Sequence, residues 1–100
     1  MNEYILLMHQ DALDAEAADD PKRWEEYIAQ LRSTAHFDGG SSIGAGERFR
    51  KGRSSEPAER VLGGYIRVRA ASLESAKRFL AGNPVYEAGG TVEIRELPRT

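Results

Sequence analysis

Residues 61–70 read VLGGYIRVRA, and this stretch decides the fold class of the chain. Every second residue from position 62 to position 70 is apolar or glycine, and the positions between them include Tyr65, Arg67 and Arg69. Because successive side chains of a strand point to opposite faces, the pattern predicts a β-strand with one buried and one partly polar face. Such a strand is typical of an antiparallel sheet that is covered on one side.

Three further segments have strand character. The apolar run YILLMH at 4–9 and the alternating TVEIREL at 91–97 are predicted as strands. SSIGAGERF at 41–49 is predicted as a weaker strand, because its two glycines mark a bulge or a close backbone approach. The DGG at 38–40 is typical of a turn, and the polar residues 50–60 are expected to form a long hairpin connection.

Two amphipathic helices are predicted between these strands, and residues 11–20 are expected to form a loop with room for a helical turn. Asp20 and Pro21 start the first helix, since aspartate accepts bonds from the free amides of a first turn and proline is well tolerated there. Ser72 caps the second helix, and Gly82 supplies its stop. The apolar stripes are Trp24, Tyr27, Ile28, Leu31 and Ala35 in the first helix, and Leu73, Ala76, Phe79 and Leu80 in the second.

The element order strand, helix, strand, strand, helix, strand predicts a single α+β domain over residues 1–100. With right-handed connections, we expect a ferredoxin-like βαββαβ unit, in which two helices cover one face of a four-stranded antiparallel sheet. The uncovered face would carry Ile5, Leu7, His9, Tyr65, Arg67, Arg69, Glu93, Arg95 and Leu97. This face is too apolar for water and too charged for unpaired burial. We therefore expect it to pack against a second copy of the chain, with Glu93 among the arginines.

Composition narrows the possible partners. The chain has 100 residues, of which 30% are charged, and its net charge is −2, so no basic field draws in nucleic acid or an anionic membrane. It has no cysteine and two histidines, which gives a metal site little support, and no cofactor is expected. With no long apolar run and no signal sequence, a cytoplasmic location is expected.

Residues 62–97, LGGYIRVRAASLESAKRFLAGNPVYEAGGTVEIREL, resemble the C-terminal half of YCII-related domain proteins. FDGGSSIG at 37–44 and the WEEYIAQL helix from Trp24 also resemble that group, so the likeness covers nearly the whole chain. The resemblance implies a ferredoxin-like fold that dimerises through its sheets into an α/β barrel. Some relatives of similar fold act on muconolactone-type compounds.

The chain departs from that family at the positions proposed for catalysis. Members proposed as enzymes carry a histidine in the first helix and an aspartate before the proline of the second helix–strand loop. Trp24 and Asn83 stand at those positions here, and the Asp-Gly-Pro-Phe signature of one branch is absent. The family's proposed His/Asp pair is therefore not carried over to this chain.

His36 and Asp38 are the predicted catalytic residues. A histidine oriented by a carboxylate, with the hydroxyl of Ser41 or Ser42 nearby, has the groups of a general base and a nucleophile. In the alternative interpretation, His36 caps the end of the first helix and Asp38 bonds its own turn. His9, at the end of a strand, is expected to be structural or to contact the second copy.

The predicted ligand pocket lies between the first helix, the 37–46 loop and the 82–90 loop. Small-molecule sites combine an apolar wall with a few converging polar groups. The residues expected to bind a ligand there are Trp24, Ser41, Ser42, Asn83 and Tyr86. The alternative is that Trp24 and Tyr86 fill the seam between helix and loop.

The resulting hypothesis is a small-molecule-binding homodimer of the YCII-related type. Two alternatives remain open at this stage. One is an enzyme of the lactone-isomerising, dehalogenating or cofactor-free oxygenase kind, and the other is a regulatory or protein-interaction domain. A histidine in a cavity with a hydrogen-bonded carboxylate would favour the enzyme.

Overall fold

The computed structural model describes residues 1–99 and builds them around a four-stranded sheet. In chain order the elements are β1 (Asn2–His9), α1 (Ala15–Ala18), α2 (Pro21–Arg32), β2 (Phe37–Ser42), β3 (Glu47–Arg48), β4 (Glu56–Pro57), β5 (Leu62–Ala70), α3 (Leu73–Ala76), a 3-10 turn (Lys77–Leu80), α4 (Pro84–Glu87) and β6 (Val92–Leu97). The sheet order is β2-β5-β1-β6, and every neighbouring pair is antiparallel. The α+β class and the antiparallel sheet are confirmed, and the strand order is compatible with a ferredoxin-like arrangement.

One face of the two central strands forms the core. Alternate residues of β1 and β5 are buried there, and Leu6 and Val68 are fully enclosed. The alternation predicted for VLGGYIRVRA is confirmed, because residues 64, 66, 68 and 70 are all buried. The core cluster consists of Tyr4, Leu6, Met8, Ala18, Tyr27, Leu31, Ile66, Val68, Ala70, Ala76, Phe79 and Val85.

Helix α2 begins where the sequence predicts and supplies the main helical layer. The side chain of Asp20 accepts a hydrogen bond from the amide of Lys22, and Tyr27 and Leu31 are buried against the sheet. The Tyr27 hydroxyl donates to the carbonyl of Phe79 at 2.6 Å, which ties α2 to the 3-10 turn, and burial raises the pKa of Tyr27. The helix ends at Arg32, so the prediction that Ala35 extends its apolar stripe is wrong.

The second predicted helix is divided into shorter pieces. Ser72 caps α3 as expected, but α3 ends at Ala76 and continues as a 3-10 turn. Leu73 is 49% exposed and does not belong to the core. Gly82, at φ +81°, ends this segment as predicted. A further helical turn, α4, follows in place of the loop expected there.

Strand β2 lies earlier in the chain than the sequence predicts. It spans Phe37–Ser42 and not 41–49, and the expected turn at 38–40 lies within it. The pairing register shifts between Phe37 and Gly40, with Gly39 at φ +97°, so the two glycines form a bulge in a strand. A Cβ atom on Gly40 would lie 2.3 Å from the carbonyl oxygen of Tyr65, so the strand backbones approach too closely for any side chain.

The connection predicted at 50–60 contains part of a two-stranded ribbon of β3 and β4. Arg48 and Glu56 face each other across it, and Nη2 of the arginine donates to Oε2 of the glutamate at 2.8 Å. The side chains of both strands are exposed, so the ribbon extends from the domain without adding to its core.

Within residues 1–99, no helix lies over the second face of the sheet. The molecule measures 46 × 38 × 19 Å, and its thin dimension accommodates one sheet and one helical layer. Among residues 1–99, ion pairs on this side join Arg67 to Glu3 and Arg69 to Asp38. Within the chain, Glu93 pairs with His9. No helix in the part of the chain that the structure describes combines the length and apolar character needed to cross a bilayer.

Candidate functional site

The main cavity lies at the end of the sheet where β1 ends and β5 begins. It has a volume of about 750 Å³ and is open to solvent on one side. Helix α2 contributes Trp24 and Ile28 to its wall, and β2 contributes Phe37. Its polar lining includes His9, Gln10, Asp19, Arg32, Ser41 and Ser42.

Trp24 is held in place by its surroundings. Its indole Nε1 donates a hydrogen bond to the carbonyl oxygen of Ala18 at 2.6 Å, which joins α2 to the end of α1. Its ring also meets Tyr27 edge to face, with centroids 5.8 Å apart. One side of the indole is therefore packed while the ring still lines the cavity.

Glycines give the cavity a backbone wall. Gly63 and Gly64 of β5 and Gly39 and Gly40 of β2 all line it. Side chains on Gly40 and Gly64 would meet the backbone of the neighbouring strand. A Cβ on Gly64, for example, would lie 3.1 Å from the carbonyl oxygen of Ser41. The space is present because the two strands approach without side chains at this end.

Ser41 and Ser42 also line the cavity. The Ser41 hydroxyl donates to the carbonyl of Ser42 at 2.9 Å, and both residues are exposed. The structure therefore brings three of the predicted ligand-binding residues to one cavity, namely Trp24, Ser41 and Ser42.

The predicted pair of His36 and Asp38 is not assembled. Asp38 forms an ion pair with Arg69, whose Nε lies 3.0 Å from Oδ2, and Arg69 also donates to the carbonyl of Ala35. His36 lines a different, shallower cavity of about 440 Å³ that also contacts Phe79. Its buried Nδ1 has no hydrogen-bond partner in residues 1–99. The carboxylate is thus engaged by an arginine and the imidazole lies in another site.

Asn83 and Tyr86 also lie away from the main cavity. Asn83 has no exposed surface, and its Oδ1 accepts from the amides of Val85 and Tyr86 as the N-cap of α4. Tyr86 is 47% exposed and lines neither cavity. The 82–90 segment reaches the main cavity through Val85, so the predicted contribution of its polar residues is not seen.

Sequence reasoning missed the carboxylate that pairs with His9. Nε2 of His9 lies 2.5 Å from Oε1 of Glu93, and the imidazole is 20% exposed at the cavity. The alternation of the strands gives a signal for this contact. Glu93 is paired with Leu7 in the sheet, and His9 lies two residues after Leu7, so Glu93 and His9 share a face.

A bulge at the end of β1 sets the position of His9. Met8 is paired with Gly64 and His9 with Leu62, so Gly63 is an extra residue in β5. Bulges of this kind redirect the neighbouring side chains and are common beside functional sites.

A second carboxylate, that of Asp11, follows two residues after His9 in the chain. Asp11 accepts hydrogen bonds from the amide and the hydroxyl of Thr91, at 2.8 and 2.6 Å. These bonds hold the pKa of Asp11 below its usual value, and the nearby His9 acts in the same direction.

No protein-family model matches the chain, and no curated protein matches it. Within the described residues, no three histidine or acidic side chains are grouped so as to hold a metal ion.

Proposed function

We propose that the chain is a small-molecule-binding homodimer of the YCII-related type, with its ligand in the cavity at the end of β1. The observation that carries the proposal is the cavity of about 750 Å³ beside Trp24. This volume lies within the roughly 300–1,000 Å³ of typical ligand sites.

The lining of the cavity indicates the chemistry of the ligand. Trp24, Ile28 and Phe37 provide an apolar wall suited to a ring or a branched hydrocarbon group. Arg32 is the cation of the lining and, among residues 1–99, forms no ion pair within the chain. A small organic acid with a ring at one end therefore fits both sets of groups.

Intrinsic fluorescence tests this proposal, because Trp24 is the single tryptophan of the chain. We expect 3-phenylpropionate to change the Trp24 emission saturably. Ala15→Phe, on a residue that lines the cavity, should fill it and weaken this binding by about tenfold or more, equivalent to about 1.4 kcal/mol.

Ala29→Phe is the matched control, since Ala29 is an exposed residue of α2 outside the cavity lining. It should bind 3-phenylpropionate like the unmodified chain. If the Trp24 emission does not saturate with 3-phenylpropionate, the cavity is not its binding site. Equal affinity of Ala15→Phe and Ala29→Phe for this compound would also count against the cavity.

A second copy of the chain is the proposed partner of the uncovered sheet face, giving the dimeric α/β barrel. Ile5, Leu7, Tyr65 and Leu97 are only half-buried there. The charges of this side are balanced, with Glu3, Asp38 and Glu93 against Arg67, Arg69 and Arg95. Two such faces therefore attract through apolar contact without net repulsion.

Sedimentation equilibrium at micromolar concentration should give twice the chain mass of 11.1 kDa. Leu7→Glu adds a charge to the centre of the face and should give monomers that retain their circular dichroism. Leu13→Glu is the control, because Leu13 is 92% exposed and lies outside the sheet, and it should remain dimeric. A monomeric unmodified chain would refute the pairing.

An enzymatic function is favoured by one specific observation: His9 lines the cavity, and its imidazole is paired with the carboxylate of Glu93.

A further inference from the structure

His9 is the histidine of the main cavity, and its environment is that of a base. Its Nε2 lies 2.5 Å from the carboxylate of Glu93, and its ring is partly open to the cavity. An ionised carboxylate only accepts hydrogen bonds, so the neutral imidazole carries its proton on Nε2 and its lone pair on Nδ1. Among residues 1–99, no hydrogen bond to Nδ1 of His9 is formed.

We infer that His9 and Glu93 are a general base and its positioning residue, which remove a proton from a carbon atom of the ligand in this cavity. The inference rests on the proposed function, because it needs a ligand beside Trp24. His9 would contact the reacting atoms, whereas Glu93 acts through the imidazole by fixing its tautomer and orientation.

The charges around His9 suit this role. When Nδ1 accepts a proton, the ring becomes a cation, and the carboxylate of Glu93 lies 2.5 Å from its Nε2. The proton transfer therefore leaves a cationic ring directly beside a carboxylate.

The lining of the cavity specifies the class of substrate. The ring fits the wall at Trp24, and a carboxylate pairs with Arg32. The carbon that loses the proton lies between the ring and the carboxylate of the ligand. Its C–H bond is acidic only if a carbonyl group is adjacent. The substrate is therefore an aryl-substituted 2-oxo acid. Phenylpyruvate is the simplest example, and 3-phenylpropionate is its unreactive analogue.

The step balances without an external reactant. A C–H bond beside the ketone breaks, its electron pair forms the enolate, and the proton moves to Nδ1 of His9. The imidazolium then returns a proton to the same carbon or to the enolate oxygen. Exposed hydroxyls on the cavity, such as that of Ser42, are the available donors to the developing negative charge.

Deuterium exchange at C3 of phenylpyruvate in D2O, followed by proton NMR, tests the inference on the full-length chain. The unmodified protein should accelerate exchange above the buffer rate. His9→Gln should lower the protein-catalysed rate by about 10²- to 10⁴-fold, the usual contribution of a general base. Glu93→Gln should lower it by a smaller factor, and in both variants 3-phenylpropionate should still change the Trp24 emission.

His36→Gln is the control, because this second histidine lies outside the main cavity, and it should leave the exchange rate unchanged. Exchange no faster than in buffer, with 3-phenylpropionate still bound, overturns the general base and leaves the binding function standing. If 3-phenylpropionate does not bind to the unmodified chain, both the general base and the binding function are refuted. If His9→Gln and Glu93→Gln both lower stability but leave the exchange rate unchanged, the pair only joins β1 to β6. The inference is then wrong.

Discussion

Replacing Gly40 with alanine should destabilise the fold by about 3 kcal/mol, the upper part of the usual range for a forced steric clash. The new Cβ would lie 2.3 Å from the carbonyl oxygen of Tyr65 and 3.1 Å from the Cα of Ile66. Both are backbone atoms of β5, which is held on its other side by β1. Neither can move aside as a flexible side chain would, so β2 must separate from the sheet. Urea unfolding followed by circular dichroism measures the loss.

Gly44→Ala is the matched control for this substitution. Gly44 comes two residues after β2, a Cβ added to it would meet no atom within 4 Å, and its φ is not positive. Alanine there should be neutral or stabilise by about 0.5 kcal/mol, because it restricts the unfolded chain. Equal effects of the two substitutions would show that the close approach of β2 to β5 is not the constraint.

Asn83→Ala should cost about 2–3 kcal/mol, the second large effect, because it removes both a helix cap and a buried acceptor. Its Oδ1 accepts from the amides of Val85 and Tyr86, and the residue has no exposed surface. Alanine leaves the buried amide of Val85 without an acceptor, which by itself costs about 1–3 kcal/mol. The free energy of unfolding in urea is the measurement.

Asp20→Ala provides the comparison, because Asp20 caps α2 through a single bond to the amide of Lys22. That amide is exposed and water replaces the lost acceptor, so the expected cost is about 1 kcal/mol. If Asn83→Ala lowers the free energy of unfolding no more than Asp20→Ala does, burial of the cap adds nothing to its contribution. That result would also reopen the possibility that Asn83 serves a ligand.

The regular parts of this fold could be predicted from local sequence. Local patterns identified β1, β5 and β6 to within two residues at each end. β1 was recognised as a short apolar run, and β5 and β6 by alternation. Asp20 and Ser72 marked helix starts correctly because capping is a local hydrogen bond. Trp24, Ser41 and Ser42 were placed at the cavity because they belong to an amphipathic helix and to a glycine-rich segment that borders it.

The misplacement of β2 has a non-local cause. Asp38-Gly39-Gly40 has the composition of a turn, and turn propensity is all that the local sequence contains. In the folded chain, the missing side chain of Gly40 instead permits contact with the backbone of Tyr65, a residue far along the chain. Asp38 is then drawn to Arg69 rather than to His36. The contact predicted between His36 and Asp38 is therefore not formed.

The sequence by itself determined the positions of three strands, the periodic burial of β1 and β5 and the starts of the main helices. Strand patterns and helix caps depend on residues that are close in sequence, whose relative positions are set by the local backbone conformation. Only the tertiary structure decided that β2 packs on β5 through glycine, that Asn83 is a buried cap and that His9 meets Glu93. Those contacts join residues on different strands or elements, and their energies exist only once the sheet has brought the partners within a few ångströms.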